Sequence, residues 1–180
     1  RENPGMKITF LGGGNMANAL IGGMLKQGFA PADIAVVEPV RHARDRLQAY
    51  AVNCLESAEM LASTGDLLVL AVKPQQMRNA VAPLVGKLGD AVVVSIAAGL
   101  GMAALSRWLG GHRRIVRSMP NTPALIGAGI TGLCALPEVD AAGRAAAERV
   151  LRAVGSTVWI DDEARMDAVT AISGSGPAYV

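Results

Sequence analysis

Aromatic residues are nearly missing from this chain: two Trp, two Tyr and two Phe make up 3% of its 180 residues. A core of useful size must then come from Ala, Val, Leu and Ile, in a sequence that is 51% hydrophobic. The scarcity also removes the stacking platform that single-stranded nucleic acid requires. No basic stripe replaces it, because 17 Lys and Arg against 15 Asp and Glu are mixed throughout, for a net charge of +2. A nucleic-acid partner is not expected. Cysteine is limited to Cys54 and Cys134, without C-x-x-C or nearby His spacing, which excludes a disulfide framework and a zinc site. Both read as small buried apolar residues. The two histidines read as solvated, His42 among Arg41, Arg44 and Arg46, and His112 in a Gly-Gly-His-Arg-Arg turn. No apolar run approaches membrane-spanning length and no signal-peptide pattern is present, so the expected place is the cytoplasm, away from membranes. There is no Ser-His-Asp signature, no G-x-x-x-x-G-K-[ST] loop and no metal-ligand cluster; neither a catalytic side chain nor a metal ligand is expected.

What is present is glycine, 21 residues of it, gathered at turns. The stretch Ile8-Thr9-Phe10-Leu11-Gly12-Gly13-Gly14-Asn15-Met16-Ala17 runs from β-prone residues through a glycine cluster into an apolar-periodic segment. That order is strand, tight turn, helix. Read as G-x-G-x-x-A, it sets Gly12 at the turn, Gly14 where a backbone can approach a pyrophosphate, and Ala17 where helix and strand pack closely. Unpaired N–H groups at the start of such a helix point at the ligand, and the helix dipole favours its negative charge.

Further strands are expected at 34–37, 52–55, 66–72, 91–96, 114–119, 129–135 and 157–160. Helices are expected near 16–28, 41–50, 75–88 and 102–109, with one capped by Asp140 whose Ala147, Val150, Leu151 and Val154 face the sheet. A brief helix capped by Ser57 through Ser63 is also expected. Alternation at this spacing implies βαβ units and a doubly wound, mostly parallel, Rossmann-like α/β sheet. Residues 1–5 read as a leader or cloning remnant, 6–163 as the dinucleotide-binding domain, and 164–180 as the start of a helix linking to a further domain.

In such a sheet ligands bind at the carboxyl ends of the strands. Those ends carry residues 12–16, 38–41, 71–74, 97–99 and 120–123, all expected to line one crevice. Lys73 either reaches a phosphate or ribose or snorkels to solvent. Ala97, Ala98 and Gly99 let a flat ring lie against backbone, although short loops favour small residues anyway. Asn121 and Thr122, between Pro120 and Pro123, offer an amide and a hydroxyl or simply make a turn. Glu38 stands where an acid accepts the ribose hydroxyls of NAD, whereas Arg41 suits a 2′-phosphate, so the residues leave that choice open. The chemistry suggested is hydride transfer, in which the cofactor supplies the reactive atom and the protein supplies position.

Five stretches, 10–17, Ala71-Val72-Lys73-Pro74, Ser95-Ile96-Ala97-Ala98-Gly99, Arg117-Ser118-Met119-Pro120-Asn121-Thr122-Pro123 and Ser173-Gly174-Ser175-Gly176-Pro177-Ala178-Tyr179, together resemble the pyrroline-5-carboxylate reductases from Met6 onward. The resemblance implies reduction of the cyclic imine 1-pyrroline-5-carboxylate to L-proline with NADPH or NADH, in proline biosynthesis. It implies that Leu11, Gly12, Gly13, Gly14, Asn15 and Met16 hold the dinucleotide with Ala71, Val72, Lys73 and Pro74. Ala97 and Ala98 would flank the nicotinamide, with Asn121, Thr122 and Pro123 close by. A pyrroline imine protonates readily in water, so hydride addition to C=N needs orientation and no enzyme nucleophile. The family continues into a helical domain that dimerises and holds substrate; the 180 residues alone are therefore expected to bind cofactor, to be inactive, and to form a homodimer or higher oligomer only at full length.

Two departures from the family pattern stand out. Ala58 lies near a position where many members carry an Asn on the adenine-side ribose, and Glu38 disfavours a 2′-phosphate unless it turns away. Two rivals remain. A β-hydroxyacid dehydrogenase would need a lysine in the region matching 173–179, which has none. A non-catalytic dinucleotide-binding module would keep residues 12–17 but have no reason to keep Asn121-Thr122-Pro123.

Overall fold

The computed structural model describes residues 5–121 and 127–167. Eight strands form one sheet: β1 (Ile8–Leu11), β2 (Ile34–Val37), β3 (Asn53–Leu55), β4 (Leu67–Leu70), β5 (Val92–Ser95), β6 (Ile115–Met119), β7 (Gly129–Ala135) and β8 (Gly155–Trp159). Their order is β3-β2-β1-β4-β5-β6-β7-β8. The first six are mutually parallel. The strand order reverses between β1 and β4, the switch point at which doubly wound sheets open a crevice.

Apolar content on both sides explains the parallel part. β1, β4 and β5 are buried at every residue, as strands covered on two faces must be. In β4, Leu67 and Val69 join a cluster with Leu20, Ile21, Val150 and Leu151, whereas Leu68 and Leu70 join one with Met77, Val81 and Leu105. The period-2 alternation of a strand thus feeds two cores from one four-residue run. Helices α1 (Asn15–Lys26) and α5 (Ala141–Leu151) supply the first core; α3 (Pro74–Val81) and α4 (Met102–Trp108) supply the second. The short α2 (Arg41–Leu47) inserts Leu47 beside α1.

The sheet changes direction after β6. β7 returns antiparallel, with Met119 opposite Gly132, and β8 runs parallel to β7 through α5. The β6–β7 connection is shorter than the roughly dozen residues that a parallel crossover needs, so the return must be antiparallel. Asp140 caps α5 as expected, its Oδ1 accepting from Gly143 N at 2.8 Å, and Ala147, Val150, Leu151 and Val154 are all buried.

The third helix departs from the sequence reading. It ends at Val81 and tightens into a 3-10 turn, Ala82–Leu84, rather than continuing to residue 88. Pro83 causes this, since it lacks an N–H and its ring crowds the preceding turn. Ser57 precedes only a 3-10 turn, Ala58–Met60, and makes no capping bond. His112 is half-buried rather than solvated, with Nε2 2.7 Å from the Ala91 carbonyl oxygen, which it meets as a donor. Cys134 is buried and Cys54 half-buried, and burial pushes both thiols above their ordinary pKa, away from nucleophilic use. Among the described residues no helix is long and apolar enough to cross a membrane, and no His, Cys, Asp and Glu group is placed to hold a metal.

Candidate functional site

Backbone hydrogen bonds extend the ladder beyond the strands and bring the loops together. Gly12 N donates to Val37 O at 2.9 Å, Ala71 N to Leu11 O at 2.8 Å, Glu38 N to Leu55 O at 2.8 Å and Ile96 N to Leu70 O at 3.1 Å. Residues 12–16, 38–41, 71–74 and 97–99 therefore sit side by side on the carboxyl edge. Gly12 has φ +102°, and a Cβ there would stand 2.8 Å from Ala71 O. Only glycine lets β1 turn this tightly against the end of β4.

Gly14 is glycine for a different reason. It holds the N-cap position of α1 with φ −76°, a conformation open to any residue, and a Cβ there would meet nothing within 4 Å. The helix start next to it carries the N–H groups of Asn15, Met16 and Ala17. These precede the first intrahelical bond, from Asn18 N to Gly14 O at 2.9 Å. No side chain caps α1 and no acid occupies its first turn. A 12-residue helix with unpaired donors, positive dipole end and open space before it is suited to a pyrophosphate. Asn18 Nδ2 bonds the Gly13 and Gly14 carbonyls at 2.9 and 2.8 Å, turning acceptors away from that space.

Glu38 does turn away. Its Oε1 accepts from Gly13 N and its Oε2 from Val40 N, each at 3.0 Å, so the carboxylate braces the glycine loop from behind. Arg44 is likewise committed, Nη1 donating to the carbonyls of Glu38 and Pro39 at 2.7 Å each. Arg41 is exposed, with no hydrogen bond or ion pair among the described residues. It borders an open depression shared with Cys54, Glu56 and Met60.

The strand expected at 52–55 forms as β3, but its carboxyl end is not among the loops expected to line the crevice. Ser57 and Ala58, which follow it, line a cleft of about 270 Å³ with Leu11, Val37, Val72, Asn79 and Ala80. This apolar slot lies beside the glycine turn and matches a flat heterocycle better than a charged group. Ala58 is the position that the family resemblance sets near the adenine-side ribose, and the strand-end rule applied to β3 adds Ser57; Asn79 and Ala80 depend on the packing of α3 and carry no such signal.

Of the other expected residues, Leu11 is buried as a cleft wall, Val72 lines the cleft, Pro74 opens α3 and Lys73 is exposed at its N-cap. Ala97 is 6% exposed and packs into the second core, while Ala98 is exposed. Ala97 N donates to Ser95 Oγ at 3.3 Å, and Ser118 Oγ donates to Ser95 O at 2.8 Å, fixing the path of that loop. Asn121 Oδ1 accepts from Ile130 N at 3.2 Å, which ties the end of β6 to β7. Thr122, Pro123 and the 173–179 stretch lie outside the described residues. A cleft of similar size, about 290 Å³, opens at the opposite edge of the sheet, but Asp66, Asp90 and Asp140 face it with Arg114 alone against them. Its charge is wrong for phosphates.

Comparison with known proteins agrees with this geometry. The family described as NADP oxidoreductase, coenzyme F420-dependent matches residues 7–99. The pyrroline-5-carboxylate reductase of Pseudomonas aeruginosa is 46% identical over 177 residues, covering 96% of this chain and 64% of that protein. The chain thus spans about two thirds or slightly less of the curated relatives it matches. Among solved structures, a pyrroline-5-carboxylate reductase from Coxiella burnetii superposes with a TM-score of 0.90 at 37% identity, over 97% of this chain and 66% of that one. The Plasmodium falciparum pyrroline carboxylate reductase, solved with NADP bound, gives 0.83 at 30% identity over 97% and 64%. The chain belongs to the NADP oxidoreductase, coenzyme F420-dependent family, and over nearly its whole length it is similar to pyrroline-5-carboxylate reductases.

Proposed function

We propose that this chain is the cofactor-binding part of an enzyme that reduces 1-pyrroline-5-carboxylate to L-proline with NADPH or NADH, in proline biosynthesis. The observation that carries this reading is the uncapped start of α1 at the β1–β4 switch point, with the 71–74 and 97–98 loops on the same edge. In this assignment the N–H groups of Asn15, Met16 and Ala17 hold the pyrophosphate beside Gly12, Gly13 and Gly14. The cleft of Leu11, Val72, Ser57 and Ala58 takes the adenine, and Lys73 and Pro74 flank the ribose and phosphates. Ala97 and Ala98 offer a smooth backbone wall for the nicotinamide, with Asn121 on the same edge; Thr122 and Pro123 are assigned to the substrate side by the family resemblance alone. The bound dinucleotide supplies the hydride. The chain's own work is to orient and to exclude water; a protonated imine asks for no nucleophile and no general base. Substrate-holding groups are assigned to a helical domain of the full-length protein, a cytoplasmic homo-oligomer, so the 180 residues alone bind cofactor without turnover.

The geometry around β2 favours NADPH. Each Glu38 oxygen already accepts one backbone N–H, from Gly13 and from Val40, which holds the carboxylate toward the loop and leaves fewer of its lone pairs for a ribose diol. Arg41 is free to meet a 2′-phosphate with a charge-assisted bond.

One kinetic series tests both statements: loss of reduced-nicotinamide absorbance on adding pyrroline-5-carboxylate to the full-length protein. Turnover is expected with both cofactors and NADPH preferred; no turnover with either sinks the reductase reading. Arg41→Ala is expected to raise KM for NADPH about tenfold, as losing one charge-assisted hydrogen bond would, and to leave KM for NADH nearly unchanged. Equal effects on both would show that Arg41 does not read the phosphate.

A further inference from the structure

The cofactor reading leaves one buried charge unused. The side chain of Arg117, in β6, is 4% exposed. Its Nη1 donates to Glu163 Oε1 at 3.1 Å and its Nη2 to Asp167 Oδ1 at 2.6 Å. Glu163 and Asp167 lie one turn apart on the helical segment 163–167 and so present both carboxylates on one face. Glu163 Oε1 also accepts from Met102 N, the first residue of α4, at 2.7 Å. A single carboxylate oxygen thereby joins a sheet strand, the helix after the 97–101 loop, and the segment that leads on from β8. Met166, on the same segment, is fully buried in the cluster that contains Ala97 and Met102.

A buried guanidinium is costly to desolvate, and an apolar side chain there would hold a strand equally well. What an arginine adds is direction, because its planar fork accepts partners only in fixed positions. We infer that Arg117 and Glu163 are positioning residues for hydride transfer: they lock the start of α4 after the 97–101 loop, strand β6 and the 163–167 segment into one body. The nicotinamide wall then keeps a fixed height and tilt relative to whatever holds the imine. This rests on the reductase reading for its consequence, and its structural half can be measured without turnover.

The test uses the full-length protein carrying Glu163→Gln, which keeps an acceptor for Met102 N but removes the charge facing Arg117. Backbone amides of residues 97–102 are expected to exchange about tenfold faster, the equivalent of one lost charge-assisted hydrogen bond. The Kd for NADPH is expected to stay within about twofold, because the pyrophosphate site is elsewhere. The kcat for imine reduction should fall roughly tenfold to a hundredfold, as for a small misplacement of reacting groups, with a larger isotope effect from NADPH deuterated at the transferring position. Arg117→Lys, which keeps the charge but not the fork, should behave in the same direction. Unchanged exchange at 97–102 overturns the inference. So does unchanged kcat despite faster exchange, or a Kd that weakens as much as kcat falls, which would mark a merely stabilising pair. A parent enzyme that reduces no imine would refute the reductase reading, while exchange and Kd would still decide whether the lock exists.

Discussion

Gly14→Val is expected to fold like the parent and to lose NADPH affinity by at least about a hundredfold, or roughly 2.7 kcal/mol. Both halves follow from the same geometry. The backbone at Gly14 has φ −76° and ψ −165°, which valine adopts readily, and a Cβ there would touch nothing in the protein within 4 Å. Its two methyl groups would instead fill the space over the unpaired N–H groups of Asn15, Met16 and Ala17. Glycine is a better N-cap than valine, so the helix loses up to about 1 kcal/mol, well short of the loss expected in binding. Gly12→Ala is the contrasting variant. With φ +102° and Ala71 O at 2.8 Å, it would damage the turn and lower affinity through the fold, not through the ligand space. Thermal melting and fluorescence titration with NADPH separate the two cases. A Gly14→Val protein that melts normally and binds normally would remove the glycine loop from the cofactor site.

Gly155→Ala is expected to be the most damaging small substitution for stability, at about 3–5 kcal/mol from combined backbone strain and overpacking. Gly155 opens β8 with φ +140° and stands opposite Gly129. A Cβ would lie 2.0 Å from Gly129 O and 2.7 Å from Gly129 N and C, all backbone atoms that cannot rotate away. Either β7 and β8 separate or the start of β8 unpairs. For a chain of this size each kcal/mol moves Tm by about 2–4 °C, so a fall of roughly 10 °C is expected by circular dichroism. A Tm within about 2 °C of the parent would mean that the β7–β8 junction is looser than its close approach indicates.

How far the residues alone disclosed this arrangement depends on the range of the interaction. β1 and β4 were readable because a run such as Leu67-Leu68-Val69-Leu70 is apolar on both faces, and the glycine turn because its spacing reflects local backbone needs. The Asp140 cap was readable for the same reason, since donor and acceptor are three residues apart. Pro83 carries a local signal too, since its missing N–H ends the third helix short of residue 88. Glu38 is the clearest case of a signal with two meanings. Its position at the end of β2 fits a ribose acceptor, and only the fold reveals the Gly13 N–H that it serves from 25 residues away. Arg117 gave no sign at all. Its partners stand 46 and 50 residues later, and a charged residue in a strand normally reads as a solvent face.

The proposed function requires a dinucleotide lying across the carboxyl edge of the sheet. Titrating the chain with NADPH while following protection of individual backbone amides tests that most directly. Saturable protection is expected at residues 12–17, at 57–58, at 72–73 and at 97–98, with the opposite edge unaffected. No saturable binding, or protection centred on Asp66, Asp90 and Asp140, would contradict it.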